Sequence, residues 1–131
     1  MITQYIEKRR EIDFGGRSMS WPDRIDAVVV LTTVGTAEQA RTIARALIDE
    51  RLAACVNVLP EMTSFYRWQG DVHEDQERQL IIKTTREALD AVRSRVHALH
   101  TYDLPELLVL PVETGSERYL RWIGENSDGP P

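Results

Sequence analysis

The sequence predicts an α+β sandwich in which strand and helix alternate as β-α-β-β-α-β and a short last helix closes the chain. Three observations predict it. Short apolar runs at residues 27–31 (AVVVL), 80–83 (LIIK) and 107–110 (LLVL) read as core strands. Apolar stripes at helical spacing lie over about 37–51 and 86–99. Between the helices, residues 53–84 read as two long strands that meet at Gly70-Asp71. Two helices laid on one face of a four-stranded antiparallel sheet form the ferredoxin-like arrangement.

Each element has a local cause. The run at 27–31 is bounded by Asp26 and Gly35, which suits a central buried strand. Thr36 and Gln39 form a capping box, with Thr36 as N-cap and Gln39 at the third helical position. Ala40, Ile43, Ala44, Leu47 and Ile48 then follow on one helix face. The next strand begins at Ala53, and Pro60, which cannot donate to a ladder, marks a bulge or break in it. Residues 63–68 (TSFYRW) are rich in β-branched and aromatic side chains and resume the strand. The returning strand is polar over 73–78 (HEDQER) and apolar over 80–83, so its first half is expected at a wet rim and its second in the core. Thr84-Thr85-Arg86-Glu87 reads as a second capping box, and Leu89, Val92, Val96 and Leu99 give the stripe of the second helix. A loop over 100–105 leads to the last strand, ended by Pro111, and Ser116 to Gly124 reads as a closing helix.

Typical strands have about 5–6 residues, and each arm of the hairpin is roughly twice that. A small domain cannot bury arms so long. No helix except the short last one is left to cover the second face of the sheet, and an uncovered apolar face marks an interface. The sequence therefore predicts a homo-oligomer joined through the arms.

With 131 residues the chain is expected to hold one domain, at 26–126, between a flexible extension at 1–25 and a tail at 127–131. The net charge of −5 argues against a nucleic-acid binder that works by neutralising phosphates. The single cysteine, Cys55, excludes an intrachain disulfide. No apolar run reaches the roughly 18–20 residues of a membrane span, and residues 1–25 lack the apolar core of a signal peptide. The expected location is cytoplasmic, with no membrane or nucleic-acid partner.

No enzyme signature is present. The chain has no phosphate-cradling glycine loop, no Gly-x-Ser-x-Gly, no His-Glu-x-x-His and no Cys-x-x-Cys. Binding without turnover is the expectation. Lys83, Tyr102 and Glu106 offer a cation, a phenol and a carboxylate that could converge on a ligand or could join subunits. His97 and His100 share a helix face if the helix reaches His100, and imidazole suits Cu(II), Zn(II) or Ni(II). His73 lies among Glu74, Asp75 and Glu77, which read as ligands or as a solvated charged face. Cys55 reads as a metal or redox thiol or as a small buried hydrophobe. Tyr66, Trp68 and Trp122 read as stacking platforms or as interface anchors.

Five segments carry a resemblance. They are Ala54-Cys55-Val56-Asn57, Ser64-Phe65-Tyr66-Arg67-Trp68-Gln69-Gly70, Leu80-Ile81-Ile82-Lys83-Thr84-Thr85, His100-Thr101-Tyr102-Asp103-Leu104-Pro105-Glu106 and Tyr119-Leu120-Arg121-Trp122. In this order the chain resembles the CutA family, the divalent-cation tolerance proteins, over roughly residues 26–126. The resemblance implies a homotrimer of ferredoxin-like protomers, a likeness to PII-type signalling proteins and a role in tolerance of copper or another divalent cation. The expected function is binding of metal or a small ligand at clefts between subunits, in metal homeostasis or signalling; a non-enzymatic scaffold or interaction module and a PII-like sensor of a small metabolite are the alternative readings. The family's His-Pro-Tyr-Glu loop here reads His100-Thr101-Tyr102-Asp103. Of the copper ligands proposed for some relatives, Thr32 replaces a cysteine and Leu99 the first of two histidines, which leaves His100 as the metal candidate.

Overall fold

The computed structural model describes residues 25–130. The expected extension at 1–25 thus lies almost wholly outside the described residues. The elements are β1 (Ala27–Val34), α1 (Ala37–Asp49), β2 (Cys55–Val58), β3 (Met62–Trp68), β4 (Asp71–Thr85), α2 (Leu89–Leu99), β5 (Leu108–Pro111) and α3 (Glu117–Glu125). The sheet is antiparallel, with strand order β2-β4-β1-β5, and β3 pairs with the first half of β4. This is the split β-α-β order expected from the sequence.

Alternation along the strands separates two faces. Val28, Val30, Thr32 and Val34 of β1 are fully buried, as are Leu80, Ile82 and Thr84 of β4. They meet Ile43 and Leu47 of α1 and Val92 and Val96 of α2 in one hydrophobic core. The other face carries Val29 and Leu31, with Leu110 and Leu108 opposite them on β5. Lys83 and Ile81 of β4 lie there too, opposite Cys55 and Asn57 of β2. Among the described helices, α3 packs on that side, against β1 and β4.

Of the two readings of Pro60, a bulge or a break, the structure shows the break. Pro60 lies in the gap between β2 and β3, so the outgoing side is two strands and β2 begins at Cys55 instead of Ala53. The returning side, β4, runs unbroken for 15 residues. Gln69 and Gly70 make the turn, with φ of 51° and 88°. Both angles lie in the left-handed region of a two-residue hairpin turn, where glycine is at ease.

Two other expectations change. Gln39 does not complete a reciprocal capping box. Its backbone N–H donates to Thr36 Oγ1 at 3.0 Å, but its side chain turns away, donating to Leu99 O and accepting from Thr101 N. It thereby ties the end of α2 to the start of α1. Nor does Thr84-Thr85-Arg86-Glu87 cap α2, which starts at Leu89 without a side-chain cap. Thr84 Oγ1 donates to Leu52 O, and Thr85 Oγ1 accepts from Ala88 N in a preceding turn. Ser116 does cap α3, accepting from Tyr119 N.

Candidate functional site

The site lies on the open face of the sheet, where the loop over 100–106 folds back above the base of the arm. Two anchors hold that loop. His100, just beyond α2, adopts an extended conformation with φ −75° and ψ 145°. Its Nε2 donates to Thr33 O at 2.7 Å and its Nδ1 accepts from Tyr102 N at 3.1 Å. The second anchor is Gln79 of β4, whose amide donates both to Thr32 O at 2.8 Å and to Glu106 Oε2 at 3.0 Å. Because an amide N carries two hydrogens, one side chain ties β1 to the far end of the loop.

Between the anchors, the Tyr102 hydroxyl donates to Glu77 Oε2 at 2.7 Å. Glu77 is only 8% exposed. Burial, the hydrogen bond to Glu77 and its negative charge hold the Tyr102 phenol well above its ordinary value near 10. A second phenol–carboxylate pair lies further out on the arm, where Tyr66 donates to Asp75. That bond, first among several causes, raises the Tyr66 phenol as well. Across the ladder the His73 ring stacks on Tyr66, with centroids 5.4 Å apart.

Together these groups enclose a cleft of about 1040 Å³. Its arm side includes Met62, Tyr66 and Trp68 with Asp75 and Glu77, and its loop side runs from Tyr102 to Glu106. Four carboxylates line it, from Asp75, Glu77, Asp103 and Glu106, and no lysine or arginine does so among the described residues. Such a cleft concentrates negative potential and attracts cations.

The candidates from the sequence are brought together only in part. Tyr102 and Glu106 share the cleft. Lys83 stands on the same sheet face but away from it, with Nζ 5.9 Å from the Tyr119 ring centroid. His97 does not share a face with His100, because α2 ends at Leu99; its Nδ1 lies 2.9 Å from Arg93 O. Cys55 is half-buried on the open face and not in the core. Thr32 is fully buried on the opposite side, and its hydroxyl has no hydrogen-bond partner among the described residues. Glu77, which the polar run had marked for a wet rim, is the site's most buried acid.

These positions bear on copper. Both ring nitrogens of His100 already have protein partners, Thr32 points to the core and Leu99 offers no donor. No group of three or more metal-ligating side chains converges among the described residues. The donor set of this chain alone does not fit copper, which favours thiolate and imidazole.

The likeness to known proteins is close. The model of the CutA1 divalent ion tolerance protein family matches residues 28–126. The chain belongs to that family. It is 56% identical over 99 residues to the divalent-cation tolerance protein CutA of Thermus thermophilus, covering 76% of this chain and 96% of that protein. A solved structure of the Thermus thermophilus protein matches with a TM-score of 0.76 and 54% identity, over 77% of this chain and 98% of that one. The chloroplastic CutA of Arabidopsis thaliana is 41% identical over 99 residues, and this chain spans 54% of its length. Every residue that lines the cleft lies within the family match.

Gly35 tests the geometry. A Cβ there would sit 3.2 Å from the Tyr102 hydroxyl oxygen. Gly35→Ala is expected to push the phenol off Glu77 and bring its ionisation back towards the ordinary value. Alkaline titration followed by tyrosinate absorbance, with Tyr102→Phe as reference, checks this. An unchanged curve would mean that the hydroxyl tolerates the methyl.

Proposed function

We propose that the protein serves divalent-cation tolerance as a non-enzymatic homotrimer, binding a cationic ligand at the cleft under the 100–106 loop. The observation that carries the reading is the charge of that cleft, with four carboxylates and no lysine or arginine lining it among the described residues. Oxygen donors of this kind suit hard divalent cations. The side chains of a single chain do not complete a coordination sphere, so a neighbouring copy or water has to supply the remaining donors. A divalent metal other than copper would then be cargo held by carboxylates, with His100 positioning the loop through both ring nitrogens.

Exposed apolar side chains on the open face of β5 and on the other face of the arm support assembly. Leu108 and Leu110 are exposed on β5, and Phe65 and Val72 on the arm. Among the described residues, strands β2 and β5 each keep one unpaired edge. Apolar area beside open edges favours pairing with further chains. A heterologous contact of this kind closes into a ring when the rotation fits, and the family likeness suggests three copies.

Calorimetric titration of the full chain with Zn(II) tests the metal version. Binding tighter than about 1 mM, or about −4 kcal/mol, is expected, weakened by Glu106→Gln. No heat with Zn(II) would remove it.

A further inference from the structure

We propose that the same cleft takes a protonated organic amine, specifically a small chain bearing two or more ammonium groups. The inference rests on reading the cleft as a ligand site and names the chemistry of its ligand. Glu77 is the first reason. Its carboxylate lies in the cleft wall at 8% exposure, and its one hydrogen-bond donor among the described residues is the neutral Tyr102 hydroxyl. None of the ion pairs among those residues includes Glu77. A buried charge is costly unless a counter-charge and hydrogen bonds compensate it, and one hydroxyl is thin compensation. A cation arriving from outside the chain supplies the rest.

The aromatic residues decide which cation. Tyr66, Trp68 and Tyr102 line the cleft, and in the single chain each remains between a third and a half exposed, at 42%, 38% and 37%. A bare divalent metal needs several donors at about 2.0–2.6 Å and gains little from these rings. An alkylammonium uses both features. Its N–H groups donate to carboxylates, while its polarised methylenes lie over ring faces and Met62. The carboxylates stand on two sides, Asp75 and Glu77 on the arm and Asp103 and Glu106 on the loop. A cleft of about 1040 Å³ has room for a chain that reaches both.

Calorimetric titration of the full chain with spermidine, and separately with Zn(II), tests this. Spermidine is expected to bind the wild type, and both Glu77→Gln and Trp68→Leu are expected to weaken it at least tenfold. Asp90→Asn, on the exposed side of α2, is expected to change nothing. Melting curves without ligand check folding, and the exposed Trp68 keeps the test decisive if Glu77→Gln does not fold. Zn(II) binding without spermidine binding would overturn the amine and leave the metal reading intact. Binding of neither would overturn both. Equal spermidine affinity in the wild type and Trp68→Leu would reduce the effect to general charge attraction and overturn the site.

Discussion

Ile82→Ala is expected to destabilise the protein by about 3–5 kcal/mol, the upper part of the range for cutting a buried isoleucine back to alanine. Ile82 is fully buried at the centre of the sheet, paired with Val30 of β1 and Val56 of β2. It belongs to the core shared with both helices. Strands held by neighbours on both sides close poorly around a cavity, so little of the lost packing is recovered. Urea unfolding at fixed protein concentration checks it, with the midpoint falling and the slope unchanged. A loss under about 1 kcal/mol would mean that the site collapses around the smaller residue. The same figure should not apply to Ile81, one position away on the open face.

Leu110→Glu is expected to leave the protomer folded and to break the assembly. Leu110 is 49% exposed on β5, opposite Val29 on the open face. On a single chain the new carboxylate points to water and costs little. Buried against another copy it has no partner, and an unpaired buried charge costs about 3–5 kcal/mol per contact. Light scattering of the variant should report the monomer mass with the wild-type circular dichroism spectrum. Retention of the wild-type mass would show that β5 is not part of the contact.

Raising the pH gives a separate reading of the cleft. The folded Tyr102 phenol ionises well above the ordinary value near 10. Its contribution to stability is therefore complete below pH 10 and is lost as pH rises above it, where the unfolded chain releases the proton first. Tyr102→Phe should flatten that alkaline decline.

The sheet and helices were legible because their signals are local. Five apolar or alternating segments, two helical stripes and Pro60 suffice to place β1 to β5, α1 and α2 within a few residues. The site was less legible because its contacts are not local. Glu77 pairs with Tyr102 across 25 positions, and nothing beside Glu77 in the polar run marks it for burial. Strict alternation from Ile81 through Gln79 to Glu77 would have placed it on the open face, though not under the loop. Lys83 shares that face, but four residues further along the strand carry it about 13 Å from Gln79. Gln39 and Thr84 show the same limit in small form. Both stand at capping spacing, but tertiary partners take their side chains, Leu99 and Thr101 for Gln39 and Leu52 for Thr84.

The measurement closest to the centre of this account is the mass of the wild-type protein in solution. The proposed assembly rests on the open face, the exposed strand edges and the unfinished cleft. Light scattering at micromolar concentration should return three times the 15.0 kDa of one chain. A mass of 15.0 kDa would contradict the assembly and with it the proposal that neighbouring copies complete the cleft.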